Sequence, residues 1–181
     1  MSSEGIEIMS VDAALNDVSR SLGVPSDWLR KLIQFESGFN PFAKNPFSSA
    51  TGLIQFTDST ARSLGYGSAN ELVVSHPTVE SQLRGPVLRY LLQFAPFDSK
   101  QSLYLSVFYP AFRKYPLNAE FPDSVKTVNP GIKYVGDYIA KVERKSFKKY
   151  SAIGFFIPIV AAALAVFFPQ LKRRWTDEGK I

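Results

Sequence analysis

The chain has 181 residues, enough for one domain of ordinary size whose core needs no covalent staples. It contains no cysteine and one histidine, which excludes disulfide frameworks, thiolate metal sites, cysteine nucleophiles and histidine dyads. The net charge of +5 is unevenly placed: residues 1–140 carry 12 Lys+Arg against 13 Asp+Glu, while residues 141–181 carry 9 against 3. Basicity that brackets an apolar tail points to a membrane surface, whereas a nucleic-acid footprint would spread over the folded domain.

In chain order, residues 1–9 read as a polar segment without the basic start and apolar stretch of a secretory signal. Ser10 is a good N-cap for a helix whose apolar positions Val11, Ala14, Leu15 and Val18 keep the helical period to Leu22, with Gly23 as the stop. Val24-Pro25 leads to a second helix, with Ser26 as N-cap, Asp27 complementing the dipole, and Trp28, Leu29, Leu32 and Ile33 on the buried face. That stripe closes on Glu36. Its carboxyl shares the core face, sits within a turn of the stop at Gly38, and lies between Phe35 and Phe39. Burial and the negative end of the helix dipole both disfavour the charged form, so the pattern predicts a raised pKa and a carboxyl able to stay protonated near neutrality. A general acid needs that property.

Asn40-Pro41 and Asn45-Pro46 predict a loop of about a dozen residues, long enough to suspect function. After Thr51-Gly52 comes the apolar run Leu53, Ile54 and Phe56, interrupted by Gln55, whose polar side chain is expected to aim into a cleft. Thr57 or Asp58 caps a short helix to Leu64, and capping accounts for Asp58 without a catalytic role. Ser68 with Glu71 is a capping-box pattern for a helix through Val74. The one histidine, His76, reads as a turn residue before Pro77. Thr78 opens a longer helix kinked at Gly85-Pro86, and Asp98 and Gln101 mark the start of another that runs to Tyr109-Pro110. Residues 112–133 are expected to be loops. Residues 134–148 read as a helix with Val135, Tyr138, Ile139 and Val142 on one side.

From Tyr150 to Leu171 the chain runs 22 residues without a charge, flanked by Lys145, Lys148 and Lys149 on one side and Lys172, Arg173 and Arg174 on the other. That is a transmembrane helix candidate, with Tyr150 and Trp175 as interface anchors. The expected architecture is mainly α, a helical domain at 10–149 after a polar segment at 1–9, then a membrane span at 150–171 and a basic tail at 172–181.

Taken together, Glu36-Ser37, the run Ala50-Thr51-Gly52-Leu53-Ile54-Gln55, the segment Phe108-Tyr109-Pro110-Ala111 and the late Tyr138-Ile139-Ala140-Lys141-Val142 resemble, in order, the motifs of the soluble lytic transglycosylase domain. Goose-type lysozyme is among that family's relatives. The third motif looks like the form seen in phage proteins. Ile54 stands where the family has Met, and Pro110 where it has Asn after the third-motif tyrosine. The resemblance implies a lysozyme-like helical fold and cleavage of the β-1,4 bond between N-acetylmuramic acid and N-acetylglucosamine by one acid, Glu36, leaving a 1,6-anhydro end. It also implies that Ser37, Gln55, Tyr109 and Tyr138 contact the glycan, with Tyr109 hydrogen-bonded near the Glu36 carboxyl. No cofactor or metal is implied. The implied partners are peptidoglycan strands, the membrane through the C-terminal helix, and other virion proteins. The expected location is a phage virion's internal membrane or the host envelope after ejection. Two alternatives stay open: a hydrolytic muramidase, and a non-catalytic structural or channel-forming virion protein whose lysozyme-like domain only binds glycan.

Overall fold

The computed structural model describes residues 3–144, with side-chain surroundings from residue 10 onward. The helices are α1 (Ser3–Leu22), α2 (Ser26–Glu36), α3 (Asp58–Ser63), α4 (Ala69–Ser75), α5 (Val79–Gln82), α6 (Leu88–Leu92), α7 (Lys100–Phe108), α8 (Asp123–Val128) and α9 (Val135–Arg144). Among the described residues there is no strand, only the isolated bridges Lys44 to Thr51, Thr51 to Phe56 and Glu120 to Tyr134. The mainly helical expectation therefore holds. The expected membrane span and basic tail lie outside the described residues. No described helix is long and apolar enough to cross a membrane.

α7 is the centre of the packing. Every residue from Ser102 to Phe108 is buried, so past its first turn this helix has no solvent face. The buried hydroxyl of Ser106 is accommodated locally, donating to the Leu103 carbonyl at 2.6 Å, and the helix start is capped by Ser99 Oγ, which accepts from Ser102 N–H at 3.2 Å. α2 lies against α1, α7 and α9. Its apolar stripe of Leu29, Leu32 and Ile33 is fully covered.

One carboxylate links three of these helices. Glu143 on α9 accepts from Tyr104 Oη on α7 at 2.8 Å and pairs with Lys31 Nζ on α2 at 3.2 Å and Lys100 Nζ on α7 at 3.3 Å. Lys31 also pairs with Asp27 at 2.9 Å. Burial opposes the charge on Glu143, but the bonds from Tyr104, Lys31 and Lys100 outweigh it and hold its carboxyl below the usual carboxylate range.

Several local expectations shift. α1 starts at Ser3, two turns before the expected cap at Ser10. Residues 3–9 hold no proline, and Glu4 and Glu7 suit the positive end of the helix. α2 is preceded by Pro25 without a side-chain cap, and Ser26 is already helical. Thr57, not Asp58, caps α3 by accepting from Thr60 N–H, and Ser99 caps α7. The expected loops at 112–133 contain α8, a six-residue helix after Pro122 that holds on by burying Val125. The kink at Gly85-Pro86 is a π turn, Leu83–Val87, in which Gly85 leaves helical geometry at φ −96° and ψ −105°.

The loop between α2 and α3 is closed by backbone bonds, Gly52 N–H to Ala43 at 2.8 Å and Phe56 N–H to Thr51 at 2.8 Å. It is fastened to α5 by Gln82, a fully buried amide. Gln82 Oε1 accepts from Leu53 N–H at 3.0 Å, and its Nε2 donates to the carbonyls of Pro41 at 2.7 Å and His76 at 3.0 Å. Gly52 packs directly on this amide. At φ +82° a β-carbon there would fall 2.8 Å from Gln82 Oε1 and 2.9 Å from Val73 Cγ1. Gly52→Ala is expected to destabilise the protein by about 1–3 kcal/mol, from left-handed strain and displacement of the amide, as read from urea unfolding midpoints.

The Glu143 junction carries a pH signature. Its folded pKa is depressed, so its stabilising contribution is present above the ordinary carboxylate range and is lost as the pH falls through the folded value. Glu143→Gln is expected to be less stable than wild type at neutral pH, with the gap closing in acid, in urea melts run across pH.

Candidate active site

Glu36 is the last residue of α2, and it is buried at 5% exposure. The chain turns away at once. Ser37 N–H and Ser37 Oγ both return to the Ile33 carbonyl, at 3.0 and 3.2 Å. Gly38 and Phe39 then take left-handed backbone at φ +61° and +64°. Glycine adopts this conformation freely, whereas Phe39 does so under strain and is held by burial. This abrupt stop leaves the carboxyl at the helix end and sends the loop around it.

Tyr138 supplies the carboxyl's partner, donating its phenol to Glu36 Oε1 at 2.9 Å from a fully buried position on α9. The ring is fixed on two sides, stacked on Phe108 at 4.2 Å between centroids and met edge-on by Phe35 at 5.7 Å. Burial first, and then the charge and hydrogen bond of Glu36, push the Tyr138 phenol well above its usual range. It therefore stays a donor throughout the neutral range. Tyr90 is raised too, by burial first; Arg113 lowers it and Glu36 raises it, so the charge on Glu36 reaches this second buried phenol. Tyr90 Oη donates to the Ser106 carbonyl at 2.7 Å.

The five residues expected at the site are distributed unevenly. Glu36 and Tyr138 are in contact. Ser37 is adjacent in the chain, with its hydroxyl turned back into the helix. Tyr109, expected near the Glu36 carboxyl, caps the end of α7 and packs its ring on Phe112 at 5.0 Å and Phe121 at 5.9 Å. The phenol that donates to Glu36 Oε1 is that of Tyr138. Gln55 is buried in left-handed backbone at φ +55°. Its Nε2 donates to the carbonyls of Gly52 at 3.0 Å and Ala43 at 3.3 Å, while Oε1 meets no protein donor. With Ile54, Phe56, Thr60, Tyr90 and Val107 it lines a cavity of about 10 Å³, room for one water.

Asp58 is occupied elsewhere, accepting from Ala69 N–H at 2.9 Å. Among the described residues no group of three His, Cys, Asp or Glu side chains is placed to hold a metal ion. Two supports had no sequence signal: Gln82 is one polar residue in an apolar stripe, and the Tyr104, Glu143 and Lys31 junction joins residues up to 112 positions apart.

The arrangement is a buried carboxyl at a helix end, one oxygen of which accepts from a phenol that keeps its proton. Residues 14–82 match the family model described as Transglycosylase SLT domain. The match takes in α2, Glu36, Ser37, Gln55 and Gln82, and it stops short of Tyr109 and Tyr138. The SLT match suggests lytic transglycosylase activity on peptidoglycan and implies glycan binding. Comparison with curated proteins and with solved structures found no match. The contact between Glu36 and Tyr138 joins the SLT-matched stretch to the part of the chain beyond it.

The phenol should be felt in stability. Tyr138→Phe is expected to cost about 1–3 kcal/mol at neutral pH, because a buried carboxyl loses a donor, and the loss is measurable by urea unfolding.

Proposed function

We propose that the protein is a peptidoglycan lytic transglycosylase in which Glu36 is the one catalytic carboxyl. The observation that carries this reading is the buried Glu36 held at a helix end by Tyr138. Glu36 in its acid form gives its proton to the glycosidic oxygen as the bond from C1 of N-acetylmuramic acid to that oxygen breaks. The sugar's own acetamido oxygen shares the charge developing at C1. The Glu36 carboxylate then takes the proton of the 6-hydroxyl while O6 bonds to C1. The products are a free N-acetylglucosamine 4-hydroxyl end and a 1,6-anhydro end, and the acid is regenerated without water being consumed.

This route needs no second carboxylate, unlike the two-carboxylate hydrolases. Asp58 is tied to Ala69 and Glu143 to Tyr104, Lys31 and Lys100, which leaves the catalytic burden on Glu36. Tyr138 orients the carboxyl in both protonation states. In this reading Ser37, Gln55 and Tyr109 are assigned to the glycan-binding part of the site, with Gln55 supporting it from a buried position.

The tether belongs to the same proposal. The uncharged run at 150–171 with basic flanks would hold the domain at a membrane within reach of the wall. With the form of the third motif, it supports a virion protein that opens the host wall for genome delivery. Immunoblotting purified particles tests that role, and absence from them would remove it.

Glu36→Gln is expected to lower release of glycan fragments from purified cell walls by ~10²–10⁴-fold with the fold retained. Mass spectrometry of wild-type products is expected to show anhydro ends. Reducing ends instead would assign a hydrolytic muramidase, and equal clearing by both proteins would defeat the assignment of Glu36.

A further inference from the structure

α2 and α9 touch through two polar contacts that share one register. Glu36 meets Tyr138 at 2.9 Å; Lys31, five residues earlier on α2, meets Glu143, five residues later on α9, at 3.2 Å. The helices therefore run antiparallel, and the contacts are about 7.5 Å apart along either axis. The outer contact is braced from a third side. Tyr104 and Lys100 of α7 both reach Glu143, and α7 also carries Phe108, the ring stacked on Tyr138. The elements that present the acid, its phenol partner and the ring beneath that phenol thus all converge on one carboxylate that faces away from the acid.

We propose that Glu143 is a positioning residue for Glu36. It fixes how far α9 slides along α2, and so the height of the Tyr138 hydroxyl over Glu36 Oε1. The inference rests on the reading of Glu36 as the cleaving acid. A slide of about 1 Å would lengthen the 2.9 Å bond and tilt it away from its present geometry. Phe108 would move with it, because α7 is fastened to the same carboxylate. Misplacement of this order costs up to about a hundredfold in rate. Glu143 acts on the acid and not on the glycan, so the loss falls on kcat and leaves KM in place. Its effect passes through Tyr138, which gives the pair a coupling signature.

The experiment is a double-mutant cycle on the full chain, with soluble glycan strands from cell walls as substrate and urea melts to establish that each variant is folded at the assay temperature. Glu143→Gln is expected to lose roughly tenfold or more in kcat with KM unchanged, and Glu143→Asp to recover part of that loss. In the Tyr138→Phe background, Glu143→Gln should cost almost nothing further. Lys31→Met approaches the same contact from α2, should show the same split of kcat from KM, and serves in place of Glu143→Gln if that variant does not fold. Wild-type kcat in Glu143→Gln, or multiplied losses in the double variant, would overturn the positioning role while leaving Glu36 as the acid. An inactive wild type would overturn both.

Discussion

The structure depends on keeping one carboxyl out of water. Burying Glu36 opposes its charge, and the cost of an unsupported buried carboxylate would be a sizeable part of the few kcal/mol by which a domain of this size is stable. What surrounds Glu36 serves to make that burial tolerable. Ser37 closes the last turn, and Tyr138 brings a hydroxyl whose proton is itself held by burial and by the carboxyl's charge. The carboxyl's charge and hydrogen bond help to keep the phenol protonated, and the phenol in turn satisfies one carboxyl oxygen. Neither arrangement would survive in water.

Such a pair is useful only if its geometry does not drift, and here the packing of α7 matters. A helix with a solvent face can rock on its neighbours, whereas Ser102 to Phe108 is enclosed on all sides. Tyr138 rests on Phe108, and Phe108 meets Phe121 edge-on, so the phenol is backed by an aromatic stack that extends into the segment before α8. The loop on the other side is held just as firmly. Gln82 spends all of its polar atoms on Leu53, Pro41 and His76, which draws the Gly52 to Phe56 turn against α5 and leaves Gln55 in a strained backbone state. Strain at Phe39 and Gln55, on either side of the loop that follows the acid, is of the kind that surrounding structure must over-determine to maintain.

How much of this could be read in the sequence follows from the range of the interactions involved. The α2 stripe, its end at Glu36 and the kink at Gly85-Pro86 are local facts, written in helical period and in glycine and proline. They appear where the pattern puts them. Boundaries drifted where two residues competed for one cap, as with Thr57 and Asp58, or where a weak cap signal was passed over by a continuing helix, as at Ser10. α8 was hidden because six residues carry too little period to stand out, and Val125 makes it a helix only by finding a buried place. The acid was legible from its own stripe. Its partner was legible only as a tyrosine on a buried face 102 positions away. No local rule distinguishes Tyr109 from Tyr138 as the phenol that reaches the carboxyl.

Other carboxyls lie within the fold in different surroundings. Asp58 and Glu143 each have partners of their own: a backbone N–H for Asp58, and a phenol and two ammonium groups for Glu143. A carboxylate held below the usual range, as Glu143 is, makes a poor base or nucleophile and a good fastening point. Two acids on facing helices therefore stand in different surroundings: Glu143 is held in its charged form by a phenol and two ammonium groups, whereas Glu36 is buried with one oxygen on a neutral phenol.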